Sequence, residues 1–137
     1  MDIKIRYLSK TGNTKKLALA IAEELEVPAK TIKEPVNHAD VLFLGGALYL
    51  GDIHKDMKSF IEGIDNQVKT VVIFGTSSSE ENATDKIRDC LKAKKLQVID
   101  NEFNALGNFL FYQWKRPNKE DLSRVKQFAK EVIMAIK

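Results

Sequence analysis

The sequence predicts an α/β protein in which one doubly wound, five-stranded parallel sheet carries helices on its faces. Three observations support this. Strand-like and helix-like stretches alternate from end to end, as they do in βαβ units, with no repeat, linker or low-complexity tract between them. The stretch Val41 to Leu44 is wholly apolar, as a central strand buried on both faces has to be. The chain has 137 residues, which fits one core, so residues 1–137 are read as one domain.

The first strand is Ile3 to Leu8. The helix that follows starts near Thr14 and buries Leu17, Ile21 and Leu25 at i, i+4 and i+8, with Ala18 and Ala22 beside them. It stops at Val27-Pro28, because the residue before a proline is pushed out of the helical region. A short second strand spans Ala29 to Ile32, and the third is Val41 to Leu44. Met57, Phe60, Ile61 and Ile64 form the next helical stripe. The strand Thr70 to Phe74 follows, then a helix carrying Ala83, Ile87, Cys90 and Leu91, and a fifth strand from Leu96 to Phe103. Asn118 caps the last helix, with Asp121 completing a capping-box-like pair. An order 2-1-3-4-5 puts strands 2 and 5 at the edges, and both look like edges. Pro28 and Pro35 flank the second strand, Lys30 and Lys33 discourage further pairing, and Asp100, Asn101 and Glu102 suit the rim of a sheet.

One connection is too short. Only Lys33 to Asp40 separates strands 2 and 3, less than a helical crossover takes, so that helix is expected to be reduced or missing. It would have covered the face of strand 1 that carries Lys4 and Arg6. The expectation is a partly open face there, with both side chains in solvent or under a partner.

Composition excludes several classes. The longest apolar run, Val41 to Leu50, is too short to span a bilayer, and the N-terminus lacks a signal-peptide pattern, so a cytoplasmic protein is expected. One cysteine rules out an intrachain disulfide, and His38 and His54 lack metal-ligand spacing. The net charge of +3 comes from lysines interleaved with acids. The one compact basic group is Lys115, Arg116 and Lys119, so no nucleic-acid partner is expected.

The chemistry points to the loop after strand 1, Ser9-Lys10-Thr11-Gly12-Asn13-Thr14, which feeds a helix N-terminus. In doubly wound sheets ligands bind beyond the strand C-termini where strand order reverses, and free N–H groups there favour a phosphate. Gly12 permits close backbone approach, and the hydroxyls of Ser9, Thr11 and Thr14 supply donors. An ordinary turn with a helix cap would explain the same residues. No Walker lysine and no G-x-G-x-x-G turn is present, so neither a nucleoside triphosphate nor a dinucleotide site of those kinds is read. What remains suits one terminal phosphate held mainly by neutral donors.

The segment S-K-T-G-N-T resembles the phosphate-binding signature of flavodoxins, S/T-x-T-G-N-T. G-G-A-L-Y-L-G-D (45–52) matches that family's loop after strand 3, and G-T-S-S-S (75–79) its loop after strand 4. The tail from Gly107 resembles the end of small bacterial flavodoxin-domain proteins, so the likeness spans nearly the whole chain. The resemblance implies the strand order above and noncovalently bound FMN. By position, Ser9, Lys10, Thr11, Gly12, Asn13 and Thr14 would hold the phosphate. Ala47, Leu48 and Tyr49 would line the ring, and Thr76, Ser77 and Ser78 would meet its polar edge or other face.

The sequence departs from the family twice. The loop GTSSSEEN has no aromatic residue to cover one ring face, and Trp114 or Tyr112 is the nearest candidate for that role in sequence. Flavodoxins are typically acidic, whereas Lys10, Lys15 and Lys16 here would ease reduction of the flavin. The resemblance implies an electron-transfer carrier. The basic surface would select acidic redox partners, an inference that Glu80 and Glu81 beside the flavin edge weaken. The open face of strand 1 would allow a monomer or a weak homodimer. The alternative is an FMN-dependent oxidoreductase like the flavodoxin-like protoporphyrinogen oxidases or quinone reductases. His54 could then be a proton donor, but a surface histidine at a helix start is the stronger reading. A ligand-free interaction module is the third reading. A response-regulator receiver fails because its acidic cluster is absent, and a cysteine phosphatase fails because Cys90 lies in a helical stripe.

Overall fold

The computed structural model describes residues 1–10, 12–49, 52–64, 66–77, 83–106 and 117–137; of Leu48, Tyr49, Ser77, Ala83, Ala105 and Leu106 it describes the backbone alone. The elements follow in the order β1 (Ile3–Tyr7), α1 (Asn13–Leu25), β2 (Ala29–Thr31), β3 (Ala39–Tyr49), β4 (Asp52–Ile53), α2 (Lys55–Glu62), β5 (Val68–Ser77), α3 (Ala83–Ala93), β6 (Val98–Leu106) and α4 (Lys119–Ile136). The sheet runs β2-β1-β3-β5-β6 with all four pairings parallel. That is the expected order once β4 is counted, a two-residue strand folded back antiparallel onto the end of β3.

Alternation along the central strands divides the core into two layers. Ile5, Val41, Phe43, Val72 and Phe74 pack beneath α1 and α4. Leu42, Leu44, Val71 and Ile73 pack beneath α2 and α3, against Met57, Ile61, Ile87 and Leu91. At the far edge, α4 leans on β6 through Phe103 and Phe128, whose ring centroids lie 5.8 Å apart. The strands β3 and β5 both run past their apolar stretches, to Tyr49 and Ser77, because parallel pairing continues through Gly46–Gly75 and Ala47–Thr76. Gly45 is required there. A Cβ on it would lie 2.2 Å from the Phe74 ring on the neighbouring strand.

No helix forms between β2 and β3, as the short spacing predicts. The open face does not follow from it. Arg6 is 5% exposed, and its guanidinium donates to the carbonyls of Glu34 (2.9 Å), Pro35 (3.3 Å) and Ile5 (3.0 Å). The connecting strap therefore lies over β1 and is fastened by the side chain expected to face solvent. An arginine can do this because one planar group presents several donors, and it stays charged when burial pushes its pKa down. Lys4 is half-buried and pairs with Asp2 at 2.6 Å. Among the described residues, no helix is long and apolar enough to cross a membrane.

Candidate functional site

At the C-terminal edge of the sheet, the chain leaves β1 through Leu8, whose N–H donates to the Gly45 carbonyl on β3 (3.1 Å). Ser9 then closes a tight turn, its Oγ accepting from the Gly12 N–H at 3.0 Å. Gly12 sits at φ 91°, a left-handed conformation that side chains resist, and it is the N-cap of α1. No side-chain hydrogen bond caps this helix and its first turn holds no acid. A Cβ placed on Gly12 would meet nothing within 4 Å. The exposed lysines Lys10, Lys15 and Lys16 flank this positive helix end.

Three of the segments read from the sequence converge here. Thr14, in the first turn of α1, is buried, and its Oγ1 lies 2.9 Å from Oγ1 of Thr76 at the end of β5. Thr76 in turn pairs with Ala47 at the end of β3. One hydroxyl contact across 62 positions thus ties the turn after β1 to the ends of the two central strands. This gives Thr14 and Thr76 a structural contact with each other that sequence reasoning did not foresee. Asn13 is also buried, and Ala47 is half-buried. Thr11 and Ser78 lie outside the described residues, as do Tyr112, Trp114, Lys115 and Arg116, and the side chains of Leu48, Tyr49 and Ser77 are not described.

After β3 the chain folds back through β4 into α2. His54 caps that helix, its Nδ1 accepting from the Asp56 N–H at 3.0 Å. Asp52, on β4, takes a 2.8 Å hydrogen bond from Lys58, which together with the Ile53 N–H holds its carboxyl below the ordinary range. On the other side of the site, the start of α3 is clamped to β6. Glu102 accepts from Thr84 and from Arg88, the latter at 2.7 Å, while Arg88 also donates to the carbonyl of Ile99 (2.9 Å). This clamp was missed in the sequence, where Glu102 looked like a solvated edge residue; a Thr-x-x-x-Arg spacing on one helix face was the signal available. Cys90 is half-buried in α3, and burial pushes its thiol pKa up, which leaves it a poor nucleophile. No group of side chains among the described residues suits a metal ion.

At this edge Gly12 gives α1 no side-chain cap, and the first turn holds no acid that would repel a phosphate. That helix end fits the single terminal phosphate of a flavin mononucleotide. A family model described as Flavodoxin domain matches residues 4–112. The flavodoxin-like domain-containing protein BilS of Clostridioides difficile (strain CD3) is 32% identical over 118 residues, which cover 80% of this chain and 65% of BilS, just under two thirds of its length. Among solved structures, a flavodoxin from the domain Archaea superposes with a TM-score of 0.81 at 19% identity, covering 99% of both chains. A flavoprotein from Lactobacillus acidophilus NCFM in complex with FMN superposes with a TM-score of 0.62 at 16% identity, over 76% of this chain and 92% of that one.

Proposed function

Since the chain belongs to the flavodoxin family, we propose that it binds FMN noncovalently at this edge and works as an electron-transfer carrier. The observation that carries the proposal is the start of α1, where a left-handed Gly12 leaves the helix end without a side-chain cap or an acid. Ser9, Lys10, Thr11, Gly12, Asn13 and Thr14 hold the phosphate. Ala47, Leu48 and Tyr49 line the ring, and Thr76, Ser77 and Ser78 meet its edge. Bound FMN supplies one- and two-electron redox chemistry, and the chain's task is to bind, orient and shield it. The Thr14–Thr76 contact supports this division of labour, because it fixes the phosphate turn relative to the strand end beside the ring.

A carrier needs no proton donor of its own, and His54 has a structural part in capping α2. The exposed lysines around the turn suit acidic redox partners met in the cytoplasm, and the strap over β1 removes the open face on which a weak homodimer was expected. Purified protein titrated with FMN should shift the flavin's visible spectrum and release heat at one site per chain. With a chemical reductant present, it should pass electrons to a partner while turning over neither quinones nor porphyrinogens. Absence of heat and of any melting-point gain in excess FMN would refute the binding site, and quinone or porphyrinogen turnover would refute the carrier.

A further inference from the structure

Thr14 and Thr76 are only 1% and 2% exposed, and their hydroxyl oxygens lie 2.9 Å apart. A threonine hydroxyl has one proton to give and two lone pairs that accept. The pair therefore holds two protons and spends one of them between its oxygens. The other proton has no acceptor among the described residues. A buried donor in that state is costly, so it points to a ligand. The direction of the shared proton decides which hydroxyl carries the spare one. If Thr14 donates, the spare proton is on Thr76, near the end of β5. If Thr76 donates, it is on Thr14, in the first turn of α1 and two residues beyond the uncapped Gly12.

We infer that Thr76 is a positioning residue for the phosphate: its O–H donates to Oγ1 of Thr14, and Thr14 gives its own proton to a phosphate oxygen. The inference rests on the flavin reading, and it assigns the side chain of Thr76 to the phosphate while the backbone of the same residue stays at the ring's edge. Three features select this direction. A hydrogen bond to an ionised oxygen is about twice as strong as one between neutral groups, so the chain of bonds gains most when its free end meets the anion. A ring carbonyl taking the spare proton from Thr76 would be a neutral acceptor and would gain less. Bonds in a chain also polarise one another, so a Thr14 that accepts from Thr76 is the better donor. Finally, the N-terminal end of α1 favours negative charge beside Thr14, and its first turn holds no acid.

The test is a titration of the full chain with FMN and with riboflavin, which has the same ring and no phosphate. It is repeated for Thr76→Val, Thr76→Ser, Thr14→Val and the double valine variant. Thr76→Val keeps the shape and loses the hydroxyl. It should weaken FMN by about three- to tenfold and leave riboflavin within about twofold, and Thr76→Ser should restore most of the loss. Adding Thr76→Val to Thr14→Val should weaken FMN no further, because Thr76 acts through Thr14. Thr76→Ala repeats the comparison if the valine variant fails to fold. Equal losses for FMN and riboflavin would assign the Thr76 hydroxyl to the ring. Unchanged FMN affinity, or losses that add in the double variant, would detach it from the phosphate. Each of these results overturns the inference and leaves the flavin site standing. If riboflavin binds too weakly to measure, the double variant decides alone. Failure of the unaltered protein to bind FMN would overturn both.

Discussion

At the start of α4 a reciprocal pair of side chains caps the helix, whereas at the start of α1 the cap is a glycine, and Ser9 Oγ, outside the helix, accepts from its N–H. Asn118 accepts from the Asp121 N–H and Asp121 accepts from the Asn118 N–H, both at 2.9 Å, and Glu120 adds a second acid to the same turn. In α1 the corresponding positions are Gly12 at the cap and Lys15 three residues on, and no side chain takes the cap role. Each helix end has unpaired N–H groups and a partial positive charge to satisfy. One is satisfied from within, so it contributes to stability and to nothing else. Under the proposed function the other takes its acceptor from the bound phosphate, so part of the stability of α1 would depend on the ligand.

The strongest way to break this contrast is Gly12→Val. A β-branched residue at φ 91° costs about 1–3 kcal/mol of backbone strain, and a turn that relaxes to avoid it should weaken FMN by up to about a hundredfold. Unchanged affinity in a flavin titration would show that the open end is not the phosphate seat. Asp121→Ala should do the reverse. It removes one half of the capping box and is expected to cost about 1–2 kcal/mol in denaturant unfolding, while FMN affinity stays within about twofold.

Lys15→Glu sharpens the comparison by giving α1 the acid that α4 has. The flavin-free protein should gain about 0.3–1 kcal/mol from the helix dipole, and FMN should bind about three- to tenfold more weakly because the acid now competes with the phosphate. A variant that gains neither stability nor a weaker flavin would break the analogy between the two termini. The smallest effect is expected at the opposite end of the sheet. There Lys4 and His38 hold the Asp2 carboxyl below its ordinary value of 3.8, and the Asp2 N–H, with Lys69, does the same for Asp40. A carboxyl whose pKa is depressed by folding stabilises the fold above its unfolded value and loses that contribution as pH falls through the folded one. Stability should therefore decline below about pH 4, and Asp2→Asn should make that decline slightly shallower in urea titrations at pH 2–5.

The repeating parts of the molecule were readable in the sequence, because burial imposes a period. The stripe Leu17, Ile21 and Leu25, the apolar centre of β3 and the Asn118–Asp121 pair each declare themselves within a few residues. The parts that escaped depend on partners far apart in the chain. Arg6 looked solvated because it alternates with Ile5 and Tyr7, and only the fold brings the carbonyls of Glu34 and Pro35 to it. Glu102 looked like an edge residue until α3 brought Arg88 and Thr84 against it. In the candidate site, the turn was legible as a motif with its glycine. The Thr14–Thr76 contact was not, since no local pattern signals a pairing across 62 positions.

The strap over β1 has a consequence for how that part of the molecule is held. A helix could form by itself and dock late, but this segment has few hydrogen bonds of its own. The Ile32 amide leans on Tyr7, and the amides of Asp40 and Val41 both lean on Asp2. The bridge therefore takes its backbone partners from β1 and the residue before it, and its order depends on theirs. Replacing Arg6 with methionine should loosen the bridge locally, and amide exchange at Ile32 and Asp40 should accelerate well before the distant half of the sheet responds.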